Sequence, residues 1–263
     1  MHEFGPFTFW ELLALIAAVS VVLGWLGVVI VHRRLEGRVG ESHNEVVIPI
    51  YATAGVIYAV LLAFVVIAVW EQFTGAEDNV ASEASSLTTL YRETAAMPPS
   101  QQVAVRRLLR GYTEAVAGTE WNAMRRGGTS AAAREDLIEL YAVIGRPPAS
   151  ATNAALDEEF VAELSTMSSA RTKRILDGQG HLPWILWLSL IAGAVVVVAM
   201  GWFLYMPSVG LHAGLSATVA ALVGLLLFTT LVLDRPFSGR LGIKPDAFEH
   251  AVSVFDSVDQ TRR

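Results

Sequence analysis

The chain has 263 residues, of which 53% are hydrophobic and 17% are charged, against the roughly 25% charged residues that are typical of soluble domains. Its formal net charge of −6 argues against a nucleic-acid partner. Because it has no cysteine, disulfides, thiolate metal ligands and a cysteine nucleophile are excluded.

The first apolar block predicts a membrane-spanning helix that the mature protein retains. It covers residues 12–31 and follows a start without Lys or Arg. A secretory signal peptide instead has a basic beginning and an apolar core of roughly 7–15 residues. Phe9 and Trp10 lie where an aromatic belt is expected at a membrane interface. Gly24 and Gly27 predict the close approach of a neighbouring helix.

The second apolar block, residues 46–73, carries no charge before Glu71. About 20 apolar residues cross the hydrocarbon core of a bilayer, so this block spans it with room for tilt. Steps of three, four and seven residues place five side chains on one helical face. These are Thr53, Val60, Phe64, Ile67 and Glu71. The face is polar at one end, apolar over two turns and acidic at the other.

That face has two interpretations, which the sequence leaves open. In the first it lines a pore, with an apolar constriction and a charged mouth. In the second the helix is simply embedded in lipid, and Glu71 lies at the level of the headgroups. None of the motifs along the block decides between them.

Residues 76–182 predict an all-helical soluble insert that is continuous at both ends with membrane helices. No part of this region alternates as a strand does. Breaks are expected at Pro98-Pro99, Gly127-Gly128 and Pro147-Pro148. The expected helices cover residues 76–97, 101–126, 130–144 and 152–175.

Within the insert, Trp121 is interpreted as a buried core residue. The alternative is an anchor against another subunit or the membrane. Arg106, Arg107 and Arg110 cluster on one predicted helix. They form either a solvated face or an anion-attracting wall.

Two further spans are predicted over residues 183–206 and 209–233, and an amphipathic helix begins at Pro245. The chain therefore divides into residues 1–75, 76–182, 183–233 and 234–263. The turn between the last two parts is interpreted as a structural corner that redirects the chain from the fourth span onto the insert. The turn consists of Asp234, Arg235, Pro236, Phe237, Ser238 and Gly239.

Basic residues give the orientation in the membrane. The first loop carries three: Arg33, Arg34 and Arg38. The opposite side carries six: Arg171, Lys173, Arg174, Arg235, Arg240 and Lys244. The density of basic residues is higher in the short first loop, which favours a cytoplasmic first loop. The total number of basic residues is higher on the opposite side, which favours cytoplasmic termini and a cytoplasmic insert. We adopt the second orientation, with a cytoplasmic insert.

The sequence shows no catalytic, metal or cofactor site. Its six histidines are dispersed, and none pairs with a carboxylate at ligand spacing inside a span. No nucleophile elbow, phosphate loop or dinucleotide fingerprint occurs. Two lysines against many arginines are typical of a GC-rich bacterial genome.

Two segments resemble the bestrophin-like domain family, which is named for its likeness to bestrophin anion channels. They are residues 58–73 (YAVLLAFVVIAVWEQF) and residues 233–248 (LDRPFSGRLGIKPDAF). The resemblance implies four transmembrane helices, a helical cytoplasmic part between the second and third, and an oligomer around a central pore. Bestrophins also have a double-phenylalanine neck and a run of acids that clasps calcium, and this chain has neither.

These observations predict an all-α, polytopic inner-membrane protein of a bacterium. It is expected to be a homo-oligomer in the lipid bilayer, a pentamer as in bestrophins, that passes inorganic ions. Val60, Phe64 and Ile67 would form the constriction, between Thr53 and the mouth at Glu71. A scaffold or sensor that conducts nothing, and whose insert binds a partner, is the first alternative. An ion-driven stator is ranked lower, since no acid lies deep in a span. A membrane enzyme is ranked lowest, since the sequence shows no nucleophile–base pair and no metal cluster.

Overall fold

The computed structural model describes residues 9–35, 41–125, 128–144, 151–239 and 241–260, without the side chains of residues 35, 41 and 151–156. The described part is 88% helical and contains no strand, which confirms the all-α prediction. Four of its helices are long and apolar enough to cross a membrane, as expected.

Nine α-helices follow one another in the described residues. A 3₁₀ turn, Thr94–Ala96, separates the second and third, and a π turn, Val116–Glu120, separates the third and fourth. The helices are α1 (Phe9–Leu35), α2 (Glu41–Glu93), α3 (Pro99–Ala115), α4 (Trp121–Met124), α5 (Ala131–Ile144), α6 (Ala151–Gln179), α7 (Trp184–Gly201), α8 (Val209–Leu233) and α9 (Asp246–Gln260).

Helix α2 is a single element of 53 residues. At 1.5 Å per residue it is about 80 Å long, whereas the hydrocarbon core is about 30 Å thick. The helix is therefore far longer than a span needs, and the residues that follow its apolar part, residues 46–73, open the insert. The predicted continuity of span and insert is confirmed here. It is wrong at the other end, where α6 stops at Gln179 and α7 starts at Trp184, because Pro183 disfavours a helix before it.

The breaks predicted inside the insert agree with the described helices in part. Helix α3 begins at Pro99, as the two prolines require. The helix expected over residues 101–126 is interrupted instead by the π turn. Gly127 and Pro147-Pro148 lie outside the described residues.

The chain forms two compact units. The first comprises Met1–Gln72 and His181–Leu241, and the second comprises Phe73–Gly180 and Gly242–Arg263. The first therefore contains the membrane helices, and the second contains the insert together with α9.

In the first unit, α1 packs closely along α8. A Cβ atom on Gly24 would lie 2.7 Å from the backbone oxygen of Ser216. A Cβ atom on Gly27 would overlap the ring of Trp202. Both glycines thus permit the close approach that the sequence predicted. Gly214 behaves differently, because nothing among the described residues lies within 4 Å of its Cβ position.

The other contact in this unit joins α2 to α7. Its buried side chains are Tyr58, Leu62, Val65 and Val69 from α2 with Leu190, Ala194 and Val197 from α7. The ring of Tyr58 lies over Gly193, where a Cβ atom would be 2.6 Å away. At the start of α2, the Asn44 side chain donates to the backbone oxygen of Tyr205 and accepts from its N–H, both at 2.8 Å. These contacts fix which face of α2 is turned away from the chain.

In the second unit, α9 is part of the core. Its Phe248 and Phe255 are fully buried, and Phe255 stacks on Tyr91 with ring centroids 4.1 Å apart. Arg106 donates to Asp259 at 2.6 Å, and Arg110 of the same helix also bonds to α9. Two of the three arginines that the sequence left undecided therefore hold α9 in place, whereas Arg107 is exposed and lies 3.8 Å from Glu139 of α5.

Candidate pore surface on the second membrane helix

The membrane-spanning part of α2 has two opposite faces. One is buried against α7, as described above. The five predicted pore residues lie on the other, because residues of a helix advance by about 100° each and Phe64 is two positions from Leu62. Within the chain, the side chains of Val60, Phe64 and Ile67 are 51%, 68% and 54% exposed. The chain itself leaves the predicted stripe uncovered.

An exposed stripe of this kind requires a neighbour. Large apolar side chains inside the membrane contact lipid, another subunit or the lumen of a pore. The stripe differs from a plain lipid-facing surface in its ends, where Thr53 and Glu71 are polar and exposed. The hydroxyl of Thr53, three apolar side chains and the carboxylate of Glu71 thus follow one another along a single face.

Thr53 lies one turn after Pro49, the only proline within α2. Its hydroxyl donates to the backbone oxygen of Pro49 at 2.8 Å. The usual helical partner of this carbonyl is the N–H of Thr53, so the hydroxyl adds a second bond to it, whereas the carbonyl that loses its partner at a proline lies four residues earlier, at Glu45. The hydroxyl oxygen still has lone pairs with which to coordinate a cation, so Thr53 combines a structural bond with a polar surface.

The corner after α8 is built around Asp234, which is buried. Its carboxylate accepts from the backbone N–H of Leu182 at 2.6 Å and from the indole N–H of Trp187 at 3.3 Å. Its backbone oxygen lies 3.2 Å from Nδ1 of His181. These bonds join the end of α8 to the start of α7 within the first unit.

The rest of the corner is a tight turn. Pro236 and Phe237 are buried, and the N–H of Ser238 donates to the backbone oxygen of Arg235 at 3.0 Å. Gly239 has φ +80°, the left-handed conformation that glycine adopts without strain. All of these contacts are structural, so we propose a packing role for the corner.

Sequence reasoning missed a buried ion cluster in the insert. The cluster comprises Glu83, Glu120, Arg171 and Arg174, and three of these side chains are fully buried. Arg174 donates to Glu83 at 2.7 and 3.1 Å and to Glu120 at 2.7 Å. Arg171 donates to Glu120 at 2.6 Å. The two acids and two bases compensate one another in a region where an unpaired charge would be costly.

The surroundings of this cluster favour its charged form. Burial alone would lower the pKa of Arg174, but the carboxylates of Glu83 and Glu120 outweigh that effect and raise it. Burial and Glu83 raise the pKa of the Tyr112 phenol, which donates to Glu83 at 2.6 Å. Trp121 is buried against Arg174 and Phe248, which confirms the core interpretation.

No local signal could have identified this cluster. Glu83, Glu120 and Arg174 lie far apart in the sequence, and each resembles an ordinary charged residue of a solvated helix. The nearest indication is Glu120 beside a buried tryptophan in a π turn, an irregularity that occurs often at functional sites. Among the residues that the structure describes, no group of three or more His, Cys, Asp or Glu side chains could hold a metal.

Four spans with a helical insert between the second and third define a polytopic α-helical membrane protein. The sequence matches the Bestrophin-like domain over residues 9–248, which is most of the chain. The protein thus belongs to the Bestrophin-like domain family, and the resemblance noted in the sequence is confirmed. At the level of the family it is a bestrophin-like membrane channel.

Solved structures of a bacterial bestrophin homologue from Klebsiella pneumoniae show the same fold. One single-substitution variant has a TM-score of 0.72 at 11% identity, with 95% of this chain and 99% of that chain covered. A second has 0.72 at 13% identity, with 93% and 98% covered. A structure solved by zinc anomalous phasing has 0.70 at 14% identity, with 90% and 95% covered. No curated protein matches the sequence.

Proposed function

We propose that the protein assembles as a homo-oligomer whose copies of α2 surround a pore for inorganic ions. The observation that carries this proposal is the position of the five-residue stripe, opposite the face that packs on α7. Family membership supports the same activity, since bestrophins are channels and not enzymes. A pentamer, as in bestrophins, is the assembly we propose.

In this proposal Val60, Phe64 and Ile67 form rings that narrow the pore. Three apolar rings one helical turn apart exclude water, so an ion that must keep its hydration shell cannot pass until they move apart. Thr53 supplies hydroxyl oxygens before the constriction. A ring of Glu71 side chains at the other end places negative charge at the mouth and raises the local concentration of cations.

We further propose that the insert is cytoplasmic. Of the six basic residues on its side, Arg174 is fully buried and Arg171 is ion-paired in the core, which leaves four against the three of the first loop. The positive-inside rule still favours this orientation. The bilayer is then the inner membrane of a bacterium.

Cysteine crosslinking tests whether the stripe converges on an axis. The natural chain has no cysteine, so a single introduced thiol is unique in each subunit. We expect Phe64→Cys and Ile67→Cys to form disulfide-linked dimers under mild oxidation in proteoliposomes, because equivalent residues of neighbouring subunits meet around a narrow pore.

The matched control is Val195→Cys on α7, which is 60% exposed, about as much as Phe64 and Ile67. It reports the background of random collisions between subunits. If oligomers of normal size show no more crosslinking at residues 64 and 67 than at residue 195, α2 does not line the axis and the scaffold alternative is favoured.

A further inference from the structure

The insert has a small acidic cavity at the end of α2. Its volume is about 110 Å³. It is lined by Glu93, the last residue of α2, by Gln101 of α3, by Asp157, Glu159 and Phe160 of α6, and by Ala96, Met97 and Pro98 between α2 and α3. No basic side chain belongs to this lining in the part of the chain that the structure describes. The cavity therefore collects negative charge where a long helix ends.

Glu93 is only partly exposed in this cavity. Its Oε2 atom is buried and has no hydrogen-bond partner among the described residues. Two carboxylates of α6, Glu159 and Glu163, act on it electrostatically, and the α3 side contributes only the neutral Gln101. An ionised, unpartnered oxygen in such a place costs free energy, whereas a protonated one does not repel its neighbours.

The direction of the titration follows from these contacts. Burial, and then the charges of Glu159 and Glu163, raise the pKa of Glu93 above its ordinary value. A proton therefore binds to Glu93 more tightly in the folded insert than in the unfolded chain. The α2–α6 contact is then most stable below the ordinary glutamate pKa, and it weakens as the pH rises through the raised pKa of the folded state.

We propose that this cavity is a proton-responsive contact, in which protonation of Glu93 draws the end of α2 onto α6 and its ionisation loosens them. Helix α2 continues without a break from Glu93 into residues 46–73. If this contact regulates ion flow, it does so through this helix. This consequence rests on the proposed function, whereas the contact itself does not.

Hydrogen exchange measured by mass spectrometry on the full-length protein in detergent tests the contact without any ion flux. After correction for intrinsic exchange, we expect peptides around residues 90–98 and 157–163 to be better protected at a pH below the ordinary glutamate pKa of about 4.3 than at neutral pH. Glu93→Gln should lose this pH response and stay protected at both values, because its amide is neutral throughout.

Two further variants make the result specific. Glu158→Gln removes the same charge from an exposed position of α6 and should keep the full pH response. Replacing Glu159 and Glu163 together with Gln should move the response to lower pH without abolishing it, because burial of Glu93 remains. A pH response of Glu93→Gln equal to that of the natural chain would overturn the proposal.

Ion flux, measured on the same variants in proteoliposomes, tests the proton-responsive contact and the proposed channel separately. If exchange responds to pH through Glu93 while no variant conducts, the contact exists and the channel proposal fails. If ions flow and their flux depends on pH equally with and without Glu93→Gln, the channel stands and this contact does not regulate it.

Discussion

The buried ion cluster gives the most quantitative prediction, the effect of Glu83→Gln. Glu83 accepts from the phenol of Tyr112 and twice from Arg174, and both Glu83 and Arg174 are completely buried. The amide keeps the shape of the side chain but removes its charge and turns one acceptor into a donor. Arg174 then retains Glu120 as its sole carboxylate partner among the described residues.

The cost follows from the loss of one partner in a buried pair. Removing such a partner destabilises a fold by about 3–5 kcal/mol. For a chain of this size, about 1 kcal/mol corresponds to roughly 2–4 °C in Tm, so we expect a decrease of about 6–20 °C. The control is Glu139→Gln, the same chemical change at an exposed ion pair with Arg107 of 3.8 Å, for which the expected loss is below about 1 kcal/mol.

Thermal unfolding of the full-length protein in detergent, followed by tryptophan fluorescence, measures this difference. Trp121, one of the seven tryptophans of the chain, contributes to this signal and lies at the cluster, since the guanidinium carbon of Arg174 is 5.8 Å from the centroid of its ring. Unfolding of such proteins is often irreversible, so the variants are compared at one scan rate. Equal Tm values for Glu83→Gln and Glu139→Gln would refute the account of the cluster as a set of obligatory charge partners.

Two further substitutions test packing and capping in the membrane unit. Gly24→Ala should lower the Tm because its Cβ would meet backbone atoms of α8 at 2.7 Å, whereas Gly214→Ala, with nothing within 4 Å of its Cβ position among the described residues, should be neutral or stabilising. If the two alanine variants unfold alike, α1 and α8 are not packed this closely. Asp234→Asn should cost about 1–3 kcal/mol by weakening the bonds from Leu182 and Trp187, and should shift the tryptophan emission. An unchanged spectrum and Tm would show that the corner does not depend on the carboxylate.

The features predicted well from the sequence are those that a bilayer imposes. The length of each apolar block predicts the four spans, because every backbone N–H and C=O group in lipid must be hydrogen-bonded within a helix. The prolines at residues 98 and 99 give the break before α3. The stripe from Thr53 to Glu71 shares one helical face by period alone, and the structure shows that face uncovered in the chain.

The features that escaped prediction depend on contacts between distant residues. Arg174 was counted as a surface charge that orients the protein, yet it is fully buried between two glutamates. Arg106 and Arg110 received no definite role because their partners, on α9, come about 150 positions later. Helical periodicity reports which residues share a face, but it does not report which other helix covers that face.

The central claim is that α2 forms a gated ion pathway, and ion flux tests it most directly. Purified protein in liposomes would be compared with Phe64→Ala, under gradients of anions and of cations, with Val195→Ala as the control on an exposed face of α7. We expect selective flux that Phe64→Ala increases, since it widens the apolar constriction, and that Val195→Ala leaves unchanged. An absence of flux from intact oligomers of all three proteins would contradict the channel, and equal flux from all three would remove Phe64 from the gate.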